Sequence, residues 1–197
     1  MKSVFTKPPP TNRRSLFPVV VIVLLVPLTA VALWAEGRLF LCACGEFQLW
    51  IGDTCSSRNS QQLFDPYSFT HILHGFLLFW LITLVFRRLS PRWQLSLAAI
   101  LEALWEVLEN TNFVIDRYRA QTAALGYTGD TVVNSVGDLC CAIVGFLVAR
   151  RLGWFRALIV FLLLEVVLFF WIRDSLSLQI LMLNYPVKAL KAWQMCR

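Results

Sequence analysis

"LFPVVVIVLLVPLTAVALWA", residues 16–35, contains no charged side chain. A helix rises about 1.5 Å per residue, so this run reaches about 30 Å, the thickness of a bilayer's hydrocarbon core. Lys2, Lys7, Arg13 and Arg14 precede it, as in a secretory signal. The run is longer than a signal's apolar region, however, and no good small-x-small cleavage site follows it. The reading predicts an uncleaved transmembrane helix, with residues 1–15 as a short cytoplasmic tail.

Four further apolar blocks follow, at 67–86, 93–113, 129–149 and 153–172. The chain is 58% hydrophobic and 15% charged, far less charged than a water-soluble domain. Lipid admits only helices or closed barrels, and the alternating pattern of barrel strands is absent. The expected fold is therefore an all-α polytopic membrane bundle of about five transmembrane helices over residues 16–174, without internal repeats. Residues 175–197 read as a short amphipathic extracytoplasmic tail; within it, "YPVKALKAWQMCR" suits an interface.

Basic residues set the orientation. With the N-terminus inside, the inner segments hold ten: Lys2, Lys7, Arg13, Arg14, Arg87, Arg88, Arg92, Arg150, Arg151 and Arg156. The outer loops hold four: Arg38, Arg58, Arg117 and Arg119. Arg173, Lys188, Lys191 and Arg197 in the tail offset this only partly. The net charge of +6 thus follows the topology, and its dispersion over the loops excludes nucleic acid as a partner. The expected surroundings are a lipid bilayer.

Cys42, Cys44, Cys55 and Cys196 fall outside in this topology, while Cys140 and Cys141 lie in the fourth block as small apolar filler. If the outside is oxidising, Cys55 can close a disulfide with Cys42 or Cys44, but four exterior cysteines allow three full pairings and the sequence does not choose among them. A Cys-x-Cys metal site ranks below a disulfide.

The apolar blocks also carry acids. "EALWEVLEN", residues 102–110, places Glu102, Glu106 and Glu109 on one helical face, within an arc of roughly 60°. Asp130, Asn134 and Asp138 form a second stripe, about 80° wide, and His71 and His74, at i and i+3, a third. Counting rises from the expected helix ends puts His71, His74, Glu106, Glu109, Asn134, Asp138 and Glu165 roughly 6–14 Å below one surface, and Glu102 nearer mid-bilayer. Four helices thus bring polar groups to one depth band.

The cost of exposing them to lipid decides their placement. Glu102, Glu106, Glu109, Asp138 and Glu165, charged and lipid-facing, would cost about 13–18 kcal/mol together, which rivals the whole stability of a domain. They are therefore expected to face inward. No Lys or Arg lies deep in any block, so protons, water or a bound cation must balance the charge. Carboxylate with imidazole suits zinc, iron or manganese.

Each group has a plainer alternative. A lone core histidine is usually only satisfied by a neighbour. Glu106 and Glu109 can pair with Arg38, Arg117, Arg119 or Arg173 reaching down from the surface. Asp130 can cap the fourth helix. Glu165 is the weakest candidate, because nothing repeats on its face. Gly75, Gly137 and Gly145 are expected to permit close helix approach.

"DPYSFTHILHGF", "LEALWEVLENT" and "GYTGDTVVNSVGDLCCAIVGFLVARRLG" together resemble the uncharacterised-protein family 0314 of bacterial multi-pass inner-membrane proteins, a domain of unknown function. Asp130, Asn134 and Gly137 are also similar to a short pattern in VanZ-like membrane proteins. The resemblance implies a multi-pass protein of the bacterial inner membrane and supplies no activity.

The residues point to a metal-assisted hydrolase or transferase acting on a lipid-linked substrate. His71, His74, Glu106 and Asp138 are the expected metal ligands. Glu102 or Glu109 is the expected general base, and Asp130 and Asn134 the expected ligand-binding pair. The alternatives are a protein that binds a cation or small ligand without turnover, and an accessory subunit whose acids meet basic residues of a membrane-protein partner.

Overall fold

The structure is a computed structural model that describes residues 16–123 and 126–195. Among them lie eight helices: α1 Phe17–Ala35, α2 Ser68–Val85, α3 Pro91–Glu109, α4 Asn112–Gln121, α5 Val132–Leu152, α6 Trp154–Ile172, α7 Leu176–Asn184 and α8 Lys188–Gln194. No strand is formed among the described residues; Trp50 and Phe64 make an isolated bridge. The expected N-terminal tail and Cys196 lie outside the described residues.

Four helices are long and apolar enough to cross a membrane: α1, α2, α5 and α6. α3 has 19 residues, about 29 Å of helix, but its three glutamates and Arg92 lower its hydropathy. Its inward face carries Gln94, Ser96, Ala98, Glu102, Ala103, Glu106 and Glu109, all buried, whereas Leu104 and Leu108 are exposed. Its polar side thus turns inward and its leucines outward. The expected five spans become four by apolar composition, plus α3.

α2 and α5 form the centre and pack along each other. Gly75 and Gly145 allow this: a Cβ on Gly75 would collide with the Ala142 carbonyl oxygen, and one on Gly145 with the Ile72 carbonyl oxygen. Gly137 serves a different contact, since a Cβ there would strike the carbonyl of Leu63 in a loop. α1 and α6 lie outside and expose apolar residues such as Val23, Leu28, Leu162 and Phe170, as helices facing lipid do.

The interior divides along the bundle axis. Phe76, Phe79, Ile82, Ala98, Phe146 and Ala149 form an apolar core towards the C-terminal ends of α2 and α5. The opposite end is polar and closed by loops. The segment after α1 is stitched onto the start of α5 by Val132 N donating to Leu39 O (2.8 Å) and Thr131 N donating to Ser60 O (3.1 Å). The tail folds back onto α4: Arg117 Nε donates to Leu183 O (2.7 Å) and Lys191 Nζ to Ala120 O (2.7 Å).

The bond from Cys55 to Cys42 or Cys44, one of the pairings the sequence leaves open, is not formed. Cys42 bonds Cys44. Cys55 is also disulfide-bonded, and not to either of these. Two cysteines so close in sequence reach each other in a turn, with Cα atoms 5.1 Å apart. Cys140 and Cys141 are free.

Candidate functional site

α2, α3 and α5 bring the predicted stripes together at the loop end of the bundle. Glu102 lies between the two histidines: its Oε1 is 2.8 Å from His71 Nδ1 and 2.9 Å from His74 Nδ1. The imidazoles meet edge to face, with centroids 4.8 Å apart. A carboxylate facing both Nδ1 atoms accepts their hydrogens and leaves each Nε2 as the free lone pair.

Beyond His71 the surroundings change. Glu106 Oε1 is 3.1 Å from His71 Nδ1, and Asp138 Oδ2 is 3.9 Å from His71 Nε2. Glu106 stands at ion-pair distance without hydrogen-bond alignment, and both its carboxylate oxygens are buried without a hydrogen-bond partner. The same holds for Asp138 Oδ1 and Glu109 Oε2. Such groups are costly to bury. Two groups have the spacing of ligands about one ion: His71 with His74 and Glu102, and His71 with Glu106 and Asp138, each within 4.8 Å. In the first, Glu102 is already engaged by two imidazoles. In the second, both oxygens of Glu106 and Oδ1 of Asp138 have no hydrogen-bond partner, while Ser68 bonds Asp138.

A cavity of about 500 Å³ opens above these groups, with Ser57 and Gly126 exposed at its rim. His71, Asp138 and Glu109 line it from the bundle, Asp130 from the loop before α5, and Asp174 from beyond α6. Three tyrosines pair with its acids. Tyr127 donates to Asp130 Oδ1 (2.9 Å), Tyr118 bonds Glu109, and Tyr67 bonds Asp174. Burial, then the neighbouring carboxylate, raises each phenol well above its ordinary pKa, so all three stay protonated donors. Burial raises Asp174 to about 7.

The remaining predicted residues have other partners. Asp130 does not cap α5; Thr131 does, accepting from Asn134 N (3.3 Å). Asp130 instead accepts from Asn110 Nδ2 (2.9 Å), and its own N–H donates to Asn110 Oδ1 (2.7 Å). Asn134 Nδ2 donates to Gln62 O (2.9 Å), pinning the loop to α5. Glu165 stands apart, accepting from Ser175 Oγ (3.1 Å) and Ser177 N (3.2 Å) at the start of α7.

The arginines named as plainer partners for the acids turn elsewhere. Arg38 donates to Thr128 O, Arg117 to Leu183 O, Arg119 to Tyr127 O and Arg173 to Trp193 O. Among the described residues, no Lys or Arg reaches ion-pair distance of Glu102, Glu106, Glu109, Asp130, Asp138 or Asp174.

Apolar crossing helices around an internal acid–histidine cluster define a helical membrane protein with a buried polar site. A family model described as a protein of unknown function (DUF2585) matches residues 33–196. A UPF0314 protein of Brucella anthropi is 37% identical over 194 residues, 98% of both chains. One of Novosphingobium aromaticivorans is 44% identical over 169 residues, 83% of this chain and 85% of its own. One of Rhizobium meliloti is 44% identical over 158 residues, 80% of each. The chain belongs to this UPF0314 family. No solved structure matches it.

Proposed function

We propose that the bundle holds a divalent metal ion at His71, Glu106 and Asp138 and uses it to hydrolyse or transfer a polar group admitted through the cavity. The observation that carries this is the buried carboxylate oxygens beside an imidazole that have no hydrogen-bond partner, both of Glu106 and Oδ1 of Asp138. One divalent ion balances both carboxylates. Ligand atoms about 2.0–2.2 Å from one ion stand roughly 3.4 Å apart in a tetrahedral site, close to the 3.9 Å from His71 Nε2 to Asp138 Oδ2.

The other residues follow in role. Glu102 orients His71 and His74, as carboxylates behind ligating histidines do. Glu109 has an unpartnered oxygen, lines the cavity and is held by Tyr118, so it is the group placed to accept a proton. The ion supplies Lewis acidity. Six arginines, 87, 88, 92, 150, 151 and 156, lie at the opposite end of the bundle. By the positive-inside rule, the cavity then faces the extracytoplasmic side of a bacterial inner membrane.

Elemental analysis of purified protein tests the site. Wild type is expected to carry zinc, iron or manganese at about one ion per chain, as a single site with three protein ligands and one open position does. Glu106→Gln and His71→Ala are expected to lose it. Equal metal in wild type and both variants would overturn the assignment. The binding reading without turnover rests on the same unpartnered oxygens, and differs in predicting metal and ligand binding with no product.

A further inference from the structure

The cavity is larger than an ion and its water require, and its charge has one sign. An ion at the floor balances Glu106 and Asp138, but leaves Glu109, Asp130 and Asp174 around the remaining volume. Among the described residues, no Lys or Arg lines the cavity. Each of the three acids is paired with a tyrosine whose ring lines the same space. Tyr118 and Tyr127 stand edge to face, with centroids 5.6 Å apart. Glu109 is buried, and its Oε2 has no hydrogen-bond partner in the wall. Carboxylates with aromatic faces are the combination that binds organic ammonium groups, through charge and ring quadrupole together.

We infer that this cavity recognises a headgroup bearing a protonated amine, with Glu109 and Asp130 as its acceptors and Tyr67, Tyr118 and Tyr127 as its walls. The inference rests on the reading of the cavity as the ligand chamber of the metal site. The charged side chains of the lining other than His71 are carboxylates, which repel an anionic group except at the ion itself. The volume of about 500 Å³ suits an aminoalcohol or amino-sugar headgroup.

Calorimetric titration of the full chain in phosphatidylglycerol nanodiscs tests it, with ethanolamine against ethylene glycol and glucosamine against glucose. Each amine is expected to bind at least about tenfold tighter than its neutral counterpart, a difference of about 1.4 kcal/mol. Glu109→Gln is expected to remove most of that preference. Repeating the titration in phosphatidylethanolamine nanodiscs identifies the source. Loss of the response to free amine there means that the lipid headgroup occupies the site, and persistence means a soluble amine. Equal binding of amine and neutral counterpart, or a preference unchanged in Glu109→Gln, would overturn the inference. Metal content measured on the same samples separates the two readings. Metal present without amine preference removes only the headgroup assignment, and amine preference without metal removes only the ion.

Discussion

Glu102 and Glu106 occupy successive turns of one helix face, yet their surroundings differ. Glu102 is satisfied by two imidazoles, whereas Glu106 has both oxygens free of hydrogen bonds. Replacing Glu102 by Gln leaves the ligands in place but loosens the rings, so metal affinity is expected to fall about 10–100-fold. Competition with a chelator of known affinity measures this, and an unchanged affinity would show that Glu102 orients nothing. The shared face of the three glutamates was legible from a spacing of three and four residues. Their differing surroundings were not, because spacing fixes a face and not the partner opposite it. Asn110, Tyr118 and Tyr127 were missed for a related reason. Asn110 reads as the end of a span, and the tyrosines sit in segments that read as loops, where no periodicity marks a side chain as buried.

Among elements, the α2–α5 contact matters most, because it holds His71 against Asp138. Gly75→Ala would push a methyl group into backbone at Ala142. Overpacking of this kind typically costs about 1–3 kcal/mol. A lower melting temperature and weaker metal retention are expected, while Gly126→Ala, which meets nothing within 4 Å, serves as the control. Equal melting temperatures in the two variants would mean that the helices part without strain. The role of Gly75 and Gly145 was readable in the sequence as small residues in apolar helices. That of Gly137 was half readable: it does permit close approach, but of the Leu63 loop, a pairing of distant segments that no local pattern encodes. α4 was also hidden. The apolar run of α3 continues through Phe113, whereas the chain turns at Asn110 and restarts at Thr111, whose side chain caps α4.

For the whole molecule, the docking of the tail is expected to depend on pH through Asp174. Asp174 joins three segments: Tyr67 before α2, Ser175 and Gln179 at α7, and Gln194 of α8. Besides Tyr67, the titratable groups near it are Glu165 and Tyr118. Its folded pKa of about 7 lies above the ordinary carboxylate value, because burial disfavours the charge. The folded protein therefore holds the extra proton, and this stabilisation, complete below about pH 4, is lost as pH rises through about 7. Melting curves are expected to show wild type more stable near about pH 5 than near about pH 8, and Asp174→Asn, which mimics the neutral acid, to show a smaller difference. A steeper dependence in the variant would contradict the assignment. The membrane bundle itself was plain in the apolar blocks, whereas the fold-back of residues 176–194 over the cavity was not, since a short amphipathic segment suits a lipid surface equally well.

The central claim is that three helices deliver His71, Glu106 and Asp138 to one ion. Anomalous scattering from crystals of metal-loaded protein, recorded at the absorption edge of the bound metal, tests it most directly. The account predicts a peak bounded by those three side chains, within about 2.0–2.2 Å of their nitrogen and oxygen atoms. A map without density there, or with the metal held only at the cysteines or on the surface, would contradict it.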